Sequence, residues 1–295
     1  MRTQAEATPD CAPPPRVAER PDAPLPPGTC DTHVHVFGPQ SRYPLARGRN
    51  YTPHVCTLDA YREVMLALGI SRAVLVQPSV YGTDNSALLD ALRAGGPAFR
   101  GIVVPDPGTS DEQLREMHAL GVRGIRLNLV NPHVLGVEEA VALCARVESL
   151  GWHLQVQLDL ARGDGRALQA LCDSTRLPVV VDHMGRLAPQ ARRNELIDLL
   201  AAGRCWVKLS APYRVSAQPA PHADLSGLVQ AFAKANPAQL LWGSDWPHTE
   251  QQADTPQAAS LADLLHLWFP DAPAMRRVCV DNPARLYNYP KEDSA

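Results

Sequence analysis

From Cys30 onward, short unbroken apolar runs alternate with longer stretches in which apolar residues recur every third or fourth position. The first pattern reads as buried strands, the second as amphipathic helices packed over them. The strand candidates are Thr29–His35, Arg72–Pro78, Phe99–Pro105, Val122–Leu129, His153–Leu158, Pro178–Met184, Cys205–Ala211 and Gln239–Asp245. Helices are predicted over Leu58–Leu68, Ser86–Ala94, Asp111–Leu120, Val137–Leu150, Ala191–Ala202, Leu225–Ala235 and Ala258–Trp268. Thr57 and Ser110 stand where an N-cap belongs, and Gly69, Gly121 and Gly151 follow helices as stop signals. Eight strands in alternation with helices predict an α/β fold of the (β/α)8 TIM-barrel kind. An open doubly wound sheet has fewer strands and a Gly-rich phosphate turn after the first. Here the first strand runs into Phe37-Gly38-Pro39, with no such turn.

Length agrees with one barrel. A barrel takes about 250 residues, and the chain has 295, which leaves a barrel domain over 30–295 and a short segment before it. Residues 1–29 hold eight prolines and few large apolar side chains, a composition that predicts a disordered, solvated Pro-rich arm. Twenty-eight Lys and Arg against 31 Asp and Glu give a net charge of −3, so no global basic field holds nucleic acid or an anionic membrane. Anion recognition must be local. No apolar run approaches the roughly 20 residues of a membrane span, and the N-terminus lacks a charged start followed by an apolar stretch. The chain is expected to be cytoplasmic. Its seven cysteines show no C-x-x-C pair and read as reduced, mostly buried thiols.

In a barrel the chemistry sits where strands end in βα loops. The first strand ends Asp31-Thr32-His33-Val34-His35, where a period of two puts His33 and His35 on one face. The sixth apolar run stops at Asp182-His183 and the eighth at Asp245, with His248 three residues on. Each taken alone has a bland explanation: a satisfied core histidine, or an aspartate capping the next turn. Three strands ending in ionisable groups together point to one shared polar site, because buried charges are costly unless paired. Arginines form a second layer. Arg126 alternates with Ile125 and Leu127 and so points into the barrel, where it meets either a substrate anion or a barrel carboxylate such as Asp31 or Asp245. Arg186 and Arg214 follow strands six and seven, as anion ligands or as solvated loop residues. Tyr51, Ser79, Asn128 and Gln157 are further rim candidates.

With these positions in place, the chain resembles the amidohydrolase superfamily, and within it the group containing 2-pyrone-4,6-dicarboxylate lactonase and related sugar-acid lactonases. The strings that carry the resemblance are Asp31–Gly38 (DTHVHVFG), Gln77–Asn85 (QPSVYGTDN), Gly121–Asn128 (GVRGIRLN), Asp182–Arg186 (DHMGR), Trp242–His248 (WGSDWPH) and Asp281–Leu286 (DNPARL). The resemblance implies a distorted barrel of the amidohydrolase type and hydrolysis of a small carboxylated lactone, of pyrone, sugar-acid or muconolactone type, in the breakdown of aromatic compounds. It assigns Asp245 as general base, His33, His35 and His183 to carbonyl polarisation or water orientation, and Arg126, Arg186, Arg214, His248, Tyr51 and Ser79 to substrate binding. Two departures matter. A further arginine expected soon after the strand-four motif is replaced by the segment Asn128-Leu129-Val130-Asn131-Pro132, and a tyrosine expected near the end of strand five by Gln157.

Two-metal members of the superfamily use a carboxylated lysine on strand four, but this strand offers Arg126 and Asn128. One divalent ion, zinc or manganese, fits the set His33, His35, His183 and Asp245. No metal is expected to be required, since arginines supply an electrophilic field. The alternatives are a metal-dependent decarboxylase or a lactone isomerase of the same superfamily, and, from another class, a ligand-binding barrel without catalysis.

Overall fold

A computed structural model describes residues 8–15, 19–131, 135–163, 165–191, 194–253 and 255–290. Eight strands form one parallel sheet in sequence order: β1 (Cys30–Val34), β2 (Arg72–Val76), β3 (Phe99–Val103), β4 (Val122–Asn128), β5 (His153–Gln157), β6 (Val179–Val181), β7 (Cys205–Ser210) and β8 (Leu240–Gly243). All eight predicted strands are present, each ending a little earlier than the apolar run suggested. The last residues of each run turn out of the ladder into the loops.

The sheet is a nearly closed barrel. Its seam lies between β1 and β8, where the Thr32 hydroxyl donates to the Trp242 carbonyl (2.7 Å), Asp245 N–H to the His33 carbonyl (3.0 Å) and His35 N–H to the Trp246 carbonyl (2.8 Å). A Cβ on Gly243 would lie 2.7 Å from the His33 Cβ, so only glycine lets the two strands approach there. Asp31 bolts the seam by accepting from Ser244 N–H (2.9 Å), the Ser244 hydroxyl (2.5 Å), His33 N–H (3.1 Å) and the Tyr61 hydroxyl (3.0 Å). Register shifts between Asp31 and Val34, a bulge that re-aims the end of β1.

Helices cover the outside: α1 (Leu58–Leu68), α2 (Ser86–Gly95), α3 (Asp111–Ala119), α4 (Val137–Val147), α5 (Gly165–Ser174), α6 (Glu195–Ala201), α7 (Ser226–Ala235) and α8 (Ala258–Trp268). α1 shows why they form. Thr57 accepts from Ala60 N–H, Gly69 closes the helix at φ 69°, and Leu58, Tyr61, Val64, Met65 and Leu68 fall on the buried face. Burying each such side chain contributes roughly 1.5–3 kcal/mol. Ser110 and Gln113 make a full capping box on α3, and Gly151 adopts the left-handed conformation expected of a stop signal. α5 has no counterpart among the predicted helices. α6 starts later than predicted, capped by Asn194; residues 192–193 of that prediction lie outside the described residues.

The arm differs from its expectation. Residues 1–7 and 16–18 lie outside the described residues, but Cys11 and Leu25 are buried, and residues 9–12 pair with two loops of the barrel. Cys11 N–H donates to the Thr52 carbonyl (2.9 Å), Thr52 N–H to the Pro9 carbonyl (2.8 Å) and Ala12 N–H to the Gln251 carbonyl (2.6 Å). Proline-rich backbone carries few N–H donors to satisfy, so a handful of pairings and two buried side chains seat it. Composition averaged over the segment hides those few contacts.

At the opposite, N-terminal mouth, α9 (Ala272–Arg276) and α10 (Asn282–Leu286) lead to Tyr287 and Tyr289, which close the barrel over Cys30, Val74, Ile102 and Leu241. Asn282 ties this stopper to β8 through the Pro237 (2.9 Å) and Leu240 (2.8 Å) carbonyls. All seven cysteines are buried and unpaired. No described helix is long and apolar enough to cross a membrane.

Candidate active site

The loops that leave β6, β7 and β8 are built from unusual backbone. His183, Met184, Arg186, Ala211, Asp245, His248 and Glu250 all have φ between 48° and 64°. Outside glycine the left-handed region costs roughly 1–2 kcal/mol per residue. Among the described residues, only His222 and Asn288 share it elsewhere. Such backbone persists where packing over-determines it, and its concentration at one mouth makes that mouth the candidate site.

Four side chains meet there. The Nε2 atoms of His33, His35 and His183 lie 3.5, 3.7 and 3.9 Å from Oδ1 of Asp245. Each imidazole is held from behind by its other nitrogen: His33 Nδ1 stands 3.3 Å from Oδ1 of Asp182, His35 Nδ1 donates to the Val76 carbonyl (2.7 Å), and His183 Nδ1 meets the Ser210 hydroxyl (2.9 Å). Oδ2 of Asp245 accepts from the Tyr213 hydroxyl (2.6 Å) and from Nε of Arg214 (3.2 Å).

Burial pushes all three imidazoles down, His35 to about 3, so they are neutral near neutrality. For Asp245 burial opposes the charge, but His183 and Arg214 more than reverse it and hold the carboxyl well below the usual carboxylate range. A consequence follows for His35. Its Nδ1 proton goes to a carbonyl, so Nε2 presents a lone pair to a carboxylate oxygen. Two acceptors face each other, an arrangement that suits a cation or a doubly donating water between them. His33 adds to this, because its Nε2, the nitrogen that faces Asp245, has no hydrogen-bond partner. The donor atoms of His33, His35 and Asp245 lie within 4.8 Å of one another, as do those of His33, Asp182 and His183. The set therefore fits one divalent ion with its second nitrogens anchored, as metal-binding histidines usually are.

Beneath this cluster is a layer that sequence reasoning missed. Lys208, fully buried, donates to the Thr32 carbonyl (2.7 Å) and to Oε1 of Gln155 (2.7 Å) and sits 3.8 Å from Asp182. Burial lowers the lysine to about 8. Burial disfavours the Asp182 charge as well, yet His33 and Lys208 together hold it ionised. Arg126 points inward as expected. It donates to the Gln77 carbonyl (2.7 Å) and to Gln157 (2.6 Å), and the carboxylate near it is Asp182 at 3.9 Å, instead of Asp31 or Asp245. A lysine inside the apolar run CWVKLS was the available signal for Lys208.

Above the cluster opens a cavity of 260 Å³ whose lining includes Tyr51, Asn131, Arg186 and Glu250, with Pro9, Asp10 and Cys11 of the arm as one wall. Nε of Arg186 is buried without a partner. Ser79 reaches the same space through Asn131, whose amide lies 3.3 Å from its hydroxyl. His248 is buried, and burial pushes it down to about 4. Arg214 is no solvated loop residue: besides Asp245 it meets Glu250 (2.5 Å) and the Thr249 carbonyl (2.6 Å). Tyr213, Asn131 and Glu250 carried no separate signal in the sequence, because only the fold brings their loops together.

The amidohydrolase family model matches residues 30–289. The chain belongs to the amidohydrolase family. Within the family it is 35% identical to 4-sulfomuconolactone hydrolase of Hydrogenophaga intermedia, over 89% of each chain. It is 33% identical to 2-pyrone-4,6-dicarboxylate hydrolase of Comamonas testosteroni, over 92% of this chain and 94% of the relative. The solved apo structure of ATU3138 from Agrobacterium tumefaciens superposes with a TM-score of 0.79 at 28% identity, covering 91% of this chain and 98% of the other. For a family member, the Asp31-Thr32-His33-Val34-His35, Asp182-His183 and Asp245 positions are now more than strings, since all three arrive at one point.

Proposed function

We propose that this protein is a lactonase that opens a small carboxylated lactone with water activated by Asp245. The observation that carries the reading is the two-sided environment of that carboxylate. Oδ2 is held by Tyr213 and Arg214, while Oδ1 faces the Nε2 atoms of three imidazoles at 3.5, 3.7 and 3.9 Å. The relatives' activity on lactones supports it.

In this mechanism Asp245 accepts a proton from water as the water oxygen bonds to the lactone carbonyl carbon. His183 orients or donates to the carbonyl oxygen from Nε2, since the Ser210 hydroxyl can serve its Nδ1 either as donor or as acceptor. When the tetrahedral carbon collapses, the bond to the ring oxygen breaks, and protonated Asp245 returns its proton to that oxygen. Arg186 binds the substrate carboxylate, with Tyr51 on the cavity wall, Ser79 behind Asn131, and Arg126, Arg214 and His248 setting the field around it. One divalent ion, zinc or manganese, held by His33, His35, His183 and Asp245 would supply further polarisation of the carbonyl.

A pH-indicator assay over carboxylated lactones, on protein stripped with chelator and again with added zinc or manganese, tests this reading. Ring opening to the hydroxy acid in either arm supports it, and the pair of arms decides whether an ion is needed. Release of carbon dioxide or formation of an isomeric lactone would replace it with the decarboxylase or isomerase alternative.

A further inference from the structure

Glu250 sits between the cavity and Arg214. Its Oε2 accepts from Nη1 of Arg214 (2.5 Å), and its Oε1 accepts from the Asn131 amide (2.7 Å) and the Asn50 amide (3.2 Å). The carboxylate is therefore clamped from both sides instead of being free to swing out. Each nitrogen of Arg214 is engaged as a result: Nε faces Asp245, Nη1 faces Glu250, and Nη2 donates to the Thr249 carbonyl. With every nitrogen already donating to an acceptor, the guanidinium charge is shared by Asp245 and Glu250 and is less available to a further carboxylate. Backbone geometry maintains the arrangement, since Glu250 stands at φ 64° and its N–H donates to Sγ of Cys11 (3.3 Å).

The charges around the cavity then divide unevenly. Arg186 lines it with a buried Nε that has no partner. Glu250 lines the same cavity, with Asn131, Tyr51 and Asp10. Asn131 lies in the segment where the resemblance implies a further arginine, and here its amide is spent on Glu250 and Ser79. The cavity thus brings together one cation with an open nitrogen, the carboxylates Asp10 and Glu250, and neutral amide and phenol groups. Like charges brought together in a partly desolvated space repel strongly. A carboxylate oxygen with a free lone pair favours an O–H donor instead.

We propose that Glu250 is a specificity-determining residue that confines the site to lactones bearing a single carboxylate, bound at Arg186, and turns a hydroxyl toward Glu250 and Asn131 where a second carboxylate would be repelled. The assignment rests on the lactonase reading and deepens it. It gives Arg214 a different task from the one the resemblance implies: Arg214 holds Asp245 and Glu250 in place, and the substrate anion goes to Arg186.

The test uses three five-membered lactones that share a ring carboxylate and differ on the adjacent carbon, which carries hydrogen, hydroxyl or a second carboxylate. Each is assayed for ring opening and, where no turnover is seen, for affinity by titration calorimetry, on the full chain and on Glu250→Gln. In the unaltered protein the hydroxyl compound is expected to exceed the dicarboxylate at least tenfold in kcat/KM or in affinity. In Glu250→Gln that ratio is expected to narrow by about tenfold, equivalent to about 1.4 kcal/mol. General damage to the site lowers all three compounds and leaves the ratio unmoved. An unaltered protein that takes the dicarboxylate as well as the hydroxyl compound, a ratio unchanged by the substitution, or no binding of any of the three overturns the proposal. Binding with the expected ratio and no ring opening would instead overturn the lactonase reading and leave the assignment of Glu250 standing.

Discussion

The two mouths of the barrel use the same residue types to opposite ends. At the N-terminal mouth Arg100 donates to the carbonyls of Pro97 (2.9 Å), Phe99 (2.9 Å), Tyr287 (3.1 Å) and Asn288 (3.1 Å), and its guanidinium lies 4.3 Å from the centre of the Tyr289 ring. Each nitrogen of that guanidinium has a partner inside the protein. At the C-terminal mouth Arg186 and His33 carry buried nitrogens without hydrogen-bond partners, and lone pairs face a carboxylate. Unsatisfied buried polar groups cost on the order of 1–3 kcal/mol each. The contrast is between two arginines: Arg100 is satisfied within the protein and helps to close the barrel, whereas Arg186 keeps a buried nitrogen without a partner beside the cavity.

The largest way to break this contrast is Asp245→Asn. It should lower kcat by at least about 10³-fold, roughly 4 kcal/mol, while the denaturant midpoint stays close to that of the unaltered protein. A variant that keeps near-normal turnover would remove Asp245 from the reaction. Lys208→Met probes the layer between the mouths. With the ammonium gone, Asp182 keeps a buried charge with His33, Gln155 and the more distant Arg126 as its neighbours, so unfolding free energy should fall by about 3–5 kcal/mol. Urea melts read this directly, and an unchanged midpoint would mean that the Lys208–Asp182 pair contributes nothing net.

Tyr289→Ala should act at the closed mouth alone. It removes the hydroxyl bond to the Ala73 carbonyl (2.8 Å) and opens a void under Arg100, for a loss of about 3 kcal/mol in stability. The kcat/KM of the folded protein should stay within about twofold, because transition-state contacts are untouched; a large fall would show that the two mouths are coupled. The smallest expected effect is that of pH on chelated protein. His35 and His248 are lowered to about 3 and about 4, and Asp245 lies below the usual carboxylate range. A base with a depressed value stays neutral, and an acid with a depressed value stays ionised, until the pH falls to those values. The kcat/KM profile should therefore be flat from neutrality down to about pH 5. An acid limb at the ordinary imidazole value would show that one of these histidines is charged in the free site.

The elements were legible because their signals are local. Thr57, Ser110 and Gly69 act on backbone within a turn of themselves, and each apolar run names its own strand. The helix Gly165–Ser174 escaped because it opens beside Gly163 and Gly165, residues that read as loop. Within the site, His33, His35, His183 and Asp245 were readable as ionisable groups ending apolar runs. Asp182 stood in the same string as His183 and was passed over, since nothing local distinguishes a carboxylate facing Lys208 from one capping a turn.

The sequence by itself determined the order of strands and helices, the ends at which polar groups gather, and the family, because all three depend on side-chain type and spacing along the chain. Tertiary structure alone decided that Arg126 is committed to Gln77 and Gln157, that Arg214 is held by Asp245 and Glu250, and that residues of the arm wall the cavity. Those facts are distances between groups up to some 240 residues apart in sequence, such as Cys11 and Glu250. Electrostatic interaction falls off over a few ångströms of space, and only the closed barrel turns positions along the chain into such distances.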